Sequence, residues 1–361
     1  MTNLSREQVT QLKGIAIVAI ALHNYFHWIF HKTQENEINF DPNRFEYFLS
    51  DFVFSPSEWV QSIFTYFGHF GVQIFIFISA YALAISYPDI DSGYRFLTSR
   101  IKKLYPIFVS SILIWVVLSG LRSGILGPID RLTQYYGEIL LILTGLYPLI
   151  PGNTYPVVGP WWFISYIIQF YAMWILLSRL SARVSNRALL TMILAGVAFN
   201  YSVSPFVLDA FGINLLLTPL GHLPEIILGV YYARTGISTS NLLFLCACVT
   251  LTLSGLYYSA WPLHHLSALL TFLYLSVKIV ESRQLRISAL LNWLGAYSLP
   301  IFLINGFLRS QFVSFANAKQ AWWIDLSMGL LFFIVVCIAA FLISKSLNWT
   351  MKVIATRVTN Y

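Results

Sequence analysis

The chain has 361 residues, of which 57% are hydrophobic and only 10% are charged. So few charged side chains cannot cover a soluble globule of this length, and the composition therefore excludes a soluble enzyme or binding domain. The net charge of +7 could suggest a nucleic-acid-binding surface, but its distribution along the chain is that of a membrane protein.

Apolar segments long enough to cross a bilayer recur along the whole sequence. A membrane-spanning helix needs about 20 mostly apolar residues, and a minimum of about 17. The pattern predicts an all-α, polytopic bundle of about ten spans in a single domain over residues 1–361. The predicted spans are, in chain order, 12–30, 63–86, 103–120, 160–178, 188–205, 214–233, 241–259, 262–280, 288–308 and 322–344.

The basic residues predict how this bundle is oriented. Ten spans place both termini on one side, and a cytoplasmic N-terminus puts sixteen of the 22 Lys and Arg residues in cytoplasmic segments. This distribution agrees with the positive-inside rule. We therefore expect an integral membrane protein with both termini and a short basic tail, about 345–361, in the cytoplasm. The expected location is the plasma (inner) membrane of a bacterium.

Two segments fall outside this series of spans. Residues 135–150 are apolar but too short, and counting them as a span would break the charge rule, so they are predicted to be re-entrant or to lie at the outer interface. The outer loop of about 31–62 is acidic. It could cover the outer mouth of the bundle or bind a substrate, but a solvated loop without a specific role is the simpler expectation.

His23 is the most informative residue, because it lies in the middle of the first apolar segment. An ionisable side chain at membrane depth is costly unless it faces a partner or a wet cavity, and histidine is a frequent general base. At a rise of about 1.5 Å per residue, His23 lies roughly 16 Å from the start of its span, and His69, Gln169 and Glu225 lie roughly 9, 13 and 15 Å deep in theirs. They could converge on one polar cavity, or Gln169, Glu225 and the nearby His222 could simply join helices by hydrogen bonds.

Several short motifs resemble the acyltransferase-3 family of membrane acyltransferases. They occur in the order expected for that family and cover most of the chain, although each is weak alone. They are residues 13–16 followed by His23, 71–81 leading into 100–106, 160–166, and 294–305.

The resemblance implies transfer of an acetyl or other short acyl group from acyl-CoA to a hydroxyl of a surface polysaccharide or a lipid-linked glycan. Members usually carry arginine at the position of Lys13 and histidine eleven residues later, where this chain has Asn24. His23, one place early, is the first candidate for that histidine, and His27 is the second because it lies only about 40° from the direction of Lys13 around the helix. Asn305 stands where many members have histidine, which suggests that it orients other groups.

Acyl transfer needs a base, donors for the oxyanion and cations for the phosphates of the donor. We expect His23 to be the base, and His27, Asn24, His69 and Glu225 are the other candidate catalytic residues. The remaining candidates are Lys13, Arg100, Lys102 and Lys103 for acyl-CoA, and Trp162, Tyr166, Gln169 and Asn305 for substrate. No metal motif is apparent, so acetyl-CoA is the only expected cofactor.

Two other functions remain open at this point. Buried histidines and a glutamate could serve as the relay of a proton-coupled transporter or a polysaccharide exporter. The chain could also be a non-catalytic scaffold in a polysaccharide assembly complex, in which case changes at His23 would be tolerated. The expected partners are the glycan acceptor and membrane lipid, without nucleic acid, and the sequence does not indicate an oligomeric state.

Overall fold

A computed structural model describes residues 3–30, 34–121, 124–237, 240–282 and 284–358. The described residues are almost entirely helical and contain no β-strand. The α-helices are α1 (Arg6–Phe26), α2 (Pro42–Phe54), α3 (Trp59–Phe67), α4 (Gly71–Ser86), α5 (Gly93–Gly120), α6 (Gly127–Thr144), α7 (Trp162–Arg183), α8 (Asn186–Phe211), α9 (Leu223–Thr235), α10 (Asn241–Leu256), α11 (His264–Glu281), α12 (Leu285–Ala296), α13 (Ser298–Lys319) and α14 (Trp322–Val358).

Seven helical stretches of the described chain are long and apolar enough to cross a membrane. They are Pro56–Ser86, Gly93–Gly120, Gly159–Arg183, Asn186–Phe211, Trp261–Glu281, Ser298–Lys319 and Trp322–Met351. The other predicted spans correspond to α1, to the short α9 and to the 16-residue α10. The protein is thus an all-helical bundle with several membrane-spanning helices, while the count of ten stays a prediction.

The predicted span 288–308 is wrong as a single helix. The chain breaks at Tyr297, between α12 and α13, and the apolar helix long enough to cross the membrane is Ser298–Lys319. Pro300 lies in the first turn of α13, where a proline is tolerated because the first backbone N–H groups of a helix have no intrahelical partner. At the C-terminal end α14 continues as one helix to Val358, through most of the segment that we expected to be a tail.

Residues 135–150 fall mostly within α6, which packs antiparallel to α5. Trp115 contacts Tyr135, and further along the pair Tyr105 donates a hydrogen bond to the carbonyl of Leu143. Tyr105 lies near the middle of α5, so α6 ends at about half the depth of its neighbour. The chain then turns at Gly145, which adopts a left-handed conformation. This geometry fits a re-entrant segment, which enters the membrane and leaves it on the same side.

The first helix is the centre of the bundle. α1 begins with a capping box at Ser5 and packs against α3, α4, α12, α13 and α14. Gly68, at the end of α3, lies so close to α1 that an added Cβ would be 2.7 Å from the carbonyl oxygen of Ala19 and 2.8 Å from Cβ of His23. A glycine is therefore required where the chain passes His23, and it fixes the distance between α1 and the α3–α4 junction.

The chain between α1 and α2 folds back into the bundle. We call residues 34–41 the loop segment. Its backbone is held by three side chains from later helices or turns: Asn214 donates to the carbonyl of Ile38, Trp261 to that of Asn36, and His265 to that of Glu37. The expectation of a solvated acidic loop is wrong here, because Glu37 is almost fully buried.

Candidate active site

The predicted histidine His23 borders a cavity of about 380 Å³ near the end of α1 that faces the loop segment. Four of its lining residues come from the last turns of α1 and its C-cap, because positions 20, 23, 24 and 27 share one side of the helix. Its polar and aromatic lining includes His23, Asn24, His27, Trp28, Glu35, His69, Trp162 and Arg309.

His23 is held in one orientation by backbone carbonyls. Its Nδ1 lies 3.1 Å from the carbonyl oxygens of both Phe64 and Thr65, in the last turn of α3. Carbonyls only accept hydrogen bonds, so Nδ1 carries the proton and Nε2 of the neutral ring has a free lone pair. This is the tautomer that a general base needs if Nε2 faces the substrate.

His27 is paired with a carboxylate. Its Nδ1 lies 3.1 Å from Oε2 of Glu35. Burial alone would raise the pKa of Glu35, but the hydrogen bond from His27 and the nearby rings of His23 and His69 outweigh burial and hold this pKa below its usual value of 4.5. Glu35 is therefore a carboxylate at neutral pH, close to both candidate bases.

His69 is also paired, with Glu37. Its Nε2 contacts Oε1 of Glu37, and the second carboxylate oxygen accepts a hydrogen bond of 2.9 Å from the hydroxyl of Tyr155. Burial and the carboxylates of Glu37 and Glu35 raise the pKa of Tyr155 well above its usual value, so its hydroxyl keeps its proton. The ring of His69 is 5.2 Å from that of His23. We call His23, His27, His69, Glu35 and Glu37 the cavity cluster.

Asn24 and Asn305 lie together, as a role in orientation requires. Asn24 Nδ2 donates to Asn305 Oδ1 at 2.7 Å, and Asn305 Nδ2 donates to the carbonyls of Ile301 and Phe302 within α13. Asn305 thus fixes the amide of Asn24, whose second N–H is left for another acceptor.

A second cavity of about 530 Å³ adjoins the first. Both are lined by Trp28 and Arg309, and the guanidinium of Arg309 lies 4.8 Å from the ring centre of Trp28. Trp115 lines the second cavity and Trp162 the first. Trp162 thus lines the same cavity as His23.

The predicted cations for acyl-CoA separate into two groups. Lys13 and Arg100 are close enough to interact electrostatically, and the Arg100 guanidinium stacks 4.6 Å from the ring centre of Tyr87. Lys102 and Lys103 are exposed on α5. Lys13 is ten residues before His23, which corresponds to roughly 15 Å along α1. None of the four cations lines the 380 Å³ cavity.

Three other predicted site residues lie elsewhere. Gln169 donates a hydrogen bond of 2.7 Å to the carbonyl of Gly145, so it joins α7 to the end of α6. The ring of Tyr166 packs 5.5 Å from that of His222. Glu225 lies beside His222 and His265, and we call these last three residues the inner cluster.

Arg309, Glu35, Glu37 and Tyr155 were not predicted as site residues. Arg309 follows Asn305 by four residues, so the helical period alone would have placed it on the same face. Glu35 and Glu37 had no such signal, because carboxylates in an acidic loop usually face water. Tyr155 reaches Glu37 only through the tertiary fold.

The apolar helices indicate an integral membrane protein, and its 380 Å³ cavity is lined by three histidines. The family model described as an acyltransferase domain matches residues 6–349, nearly the whole chain. The protein belongs to the acyltransferase-3 family, which supports a membrane acyltransferase activity. Comparison with curated proteins found no match, and neither did comparison with solved structures.

Proposed function

We propose that this protein is an O-acyltransferase of a bacterial inner membrane. It transfers an acetyl or other short acyl group from acyl-CoA to a hydroxyl of a surface polysaccharide or lipid-linked glycan, with His23 as the general base. The observation that carries the proposal is the fixed tautomer of His23 at the edge of a cavity that also holds Asn24 and two histidine–carboxylate pairs.

The reaction follows from these groups. Nε2 of His23 takes the proton from the acceptor hydroxyl while its oxygen attacks the thioester carbonyl. The second N–H of Asn24 donates to the oxyanion that forms. The C–S bond then breaks, and the departing thiolate of coenzyme A receives the proton from His23. The transfer is direct, without an acyl-enzyme.

The carboxylates of the cavity cluster assist this proton transfer. When His23 accepts a proton it becomes an imidazolium in a buried site, which is costly without a nearby anion. Glu35 interacts electrostatically with His23. Glu37 pairs with His69, whose ring lies 5.2 Å from that of His23. Both therefore lower the cost of the charged intermediate, as the carboxylate does beside a catalytic histidine in hydrolases.

The acyl donor approaches from the Lys13 side of the bundle. Lys13 and Arg100 form a cationic pair suited to its phosphates. They are roughly 15 Å from His23 along α1, a distance that the extended pantetheine arm of coenzyme A can cover. This assignment includes Arg100 and Lys13 and leaves Lys102 and Lys103 as ordinary basic residues at a cytoplasmic surface.

The acceptor glycan occupies the second cavity. Trp28 and Trp115 line it, and Arg309, whose guanidinium lies over the Trp28 ring, lines both this cavity and the first. Indole rings present a flat apolar face with a polar edge, which suits a sugar ring whose hydroxyl must reach His23. A Trp28→Ala variant tests this placement: the KM for the acceptor should rise while the affinity for acyl-CoA is unchanged.

The orientation of the bundle is part of this proposal, with both termini in the cytoplasm. A cysteine introduced at Arg183 should be shielded from a membrane-impermeant thiol reagent in intact cells, and one introduced at Asn43 should react. Reaction at position 183 would place the end of α7 outside and would contradict the orientation.

The activity itself is tested with purified protein in detergent. Radiolabelled acetyl-CoA and cell-envelope glycan should give labelled glycan with the wild-type protein and background labelling with His23→Ala. In cells, removing the gene should remove an ester-linked acyl group from the surface glycan, measured by mass. Unchanged glycan mass together with no transfer in detergent would favour the transporter or scaffold alternatives.

A further inference from the structure

The inner cluster joins two histidines and a glutamate in the core of the bundle, away from the cavity. His222, Glu225 and His265 are at most 6% exposed. One ligand atom from each residue lies within 4.8 Å of the others. His222 precedes α9, Glu225 is in its first turn and His265 is at the start of α11, so the cluster connects two helices far apart in sequence.

The hydrogen bonds of the two rings determine which nitrogens carry protons. His222 Nε2 lies 2.9 Å from the carbonyl of Leu216, and His265 Nε2 lies 2.9 Å from the carbonyl of Glu37. Because carbonyls only accept, each Nε2 is the protonated nitrogen, and the Nδ1 of each neutral ring has a lone pair. A histidine whose other nitrogen donates to a carbonyl is oriented as metal-binding histidines usually are.

The remaining atoms of the cluster are acceptors that face one another. His222 Nδ1 and Glu225 Oε2 are 3.8 Å apart, and both are buried without a hydrogen-bond partner in the described part of the chain. Buried polar atoms of this kind are costly unless a proton or a cation lies between them. The ring of Tyr166 packs against that of His222, and its hydroxyl, which interacts electrostatically with Glu225, is likewise buried without a partner among the described residues.

We propose that the inner cluster binds Zn²⁺ through His222, Glu225 and His265. Zinc takes histidine nitrogen and carboxylate oxygen ligands at about 2.0–2.2 Å in a tetrahedron, which places neighbouring ligand atoms about 3.3–3.6 Å apart. The His222–Glu225 pair, at 3.8 Å, needs only a small contraction. The third ligand atom lies within 4.8 Å of the others and must move by up to about 1.5 Å. A water molecule completes the tetrahedron, and the Tyr166 hydroxyl is placed to hydrogen-bond to it.

The cavity cluster is a weaker candidate for the same ion, although its residues also group in threes. There each carboxylate already has a donor: His27 for Glu35, and His69 and Tyr155 for Glu37. In the inner cluster, by contrast, His222 Nδ1 and Glu225 Oε2 are 3.8 Å apart, too far to share a proton in a hydrogen bond. The sequence predicted no metal. His222 and Glu225 alone look like residues that join helices by hydrogen bonds, and His265 lies forty residues after Glu225 in the chain.

A cavity beside His265 offers a route by which the ion can reach the inner cluster. His265 lines this cavity of about 190 Å³ together with Asn39, Asn200 and Asn214. The side-chain oxygen of Asn200 is buried without a hydrogen-bond partner among the described residues and could accept a hydrogen bond from a hydrated cation. The bound ion would have a structural effect. His265 holds the carbonyl of Glu37, so zinc at this ring fixes the loop segment whose Glu37 side chain contacts His69.

Metal analysis tests the site without any assay of acyl transfer. Protein carrying a tag without histidines is purified in detergent, loaded with excess Zn²⁺, desalted and measured by elemental mass spectrometry. We expect about one zinc per chain in the wild type, and less than a tenth of that in His222→Gln and Glu225→Gln. The matched controls His23→Gln and His69→Gln should keep the full amount. Loss of zinc only in these two controls, or no zinc in the wild type, would overturn the proposal.

X-ray absorption of the zinc-loaded wild type is independent of how the variants fold. The spectrum should show nitrogen and oxygen neighbours at about 2.0–2.2 Å, with the multiple scattering of two imidazole rings. A spectrum with sulfur neighbours, or without imidazole scattering, would place the zinc elsewhere and overturn the proposal.

Discussion

The cavity cluster and the inner cluster contain the same residue types but are built for different chemistry. Each combines histidines with glutamates, and each is largely buried. In the cavity cluster the N–H groups of His27 and His69 face carboxylates, so each pair shares a proton. In the inner cluster both N–H groups face backbone carbonyls, so lone pairs face the carboxylate. The direction of one N–H bond thus separates a site for moving protons from a site suited to a cation.

The largest expected effect is on the rate of acyl transfer, and it distinguishes the roles of His23 and His27 within the cavity cluster. His23→Ala should lower acyl transfer by about 100- to 10,000-fold, because it removes the general base. His27→Ala is the matched control, and its loss should be much smaller because it removes only the partner of Glu35. Turnover by both purified variants is compared with the wild type, with gel filtration as a check of folding. If His27→Ala is the inactive variant instead, the roles of the two histidines are reversed.

A smaller effect is expected on the affinity for acyl-CoA, at the proposed donor site of Lys13 and Arg100. Hydrogen bonds to charged groups contribute about 1.5–3 kcal/mol, so Arg100→Ala should weaken acyl-CoA binding by about 10- to 150-fold. Arg100→Lys should also lose affinity, because lysine lacks the planar fork that binds phosphate oxygens in pairs.

Lys102→Ala is the control for that experiment, because Lys102 is exposed on the same helix. It should change the affinity little. Calorimetric titration with a non-hydrolysable acyl-CoA analogue measures all three variants. Equal affinities of Arg100→Ala and the wild type would remove Arg100 from the donor site.

The smallest effect concerns acid stability. The pKa of Glu35 is lower in the folded protein than its usual 4.5, so its interactions stabilise the fold above about pH 4.5 and are lost as the pH falls towards the folded value. The Tm of the wild type in detergent should therefore fall more steeply between about pH 5 and pH 3 than that of Glu35→Gln. His27→Gln should resemble Glu35→Gln, because it removes the donor that lowers this pKa. Parallel Tm profiles would show that the pair contributes nothing to stability.

The sequence predicted the helical membrane bundle, because apolar length and the distribution of charge are local properties. It also singled out His23, Asn24 and Asn305 individually, since positions on a helix follow from its period. It did not predict that Asn24 donates a hydrogen bond to Asn305. The break between α12 and α13 was missed, although Pro300 in the first turn of α13 was a usable signal.

The rest depended on contacts between distant segments. Glu35 and Glu37 are carboxylates of an acidic loop, and only the tertiary fold brings them beside His27 and His69. Likewise, no spacing relates His222 and Glu225 to His265, because α10 lies between them in the chain. Long-range polar clusters of this kind are set by packing and leave no periodic pattern in the sequence.

Chemical rescue of His23→Ala tests the central claim most directly. The cavity beside His23 is about 380 Å³, large enough to admit imidazole where the ring is removed. Acetyl transfer from radiolabelled acetyl-CoA is measured for the variant with and without added imidazole. We predict that imidazole restores transfer in a concentration-dependent manner and has no such effect on the wild type. Transfer near the wild-type rate without imidazole would contradict the assignment of His23 as the general base.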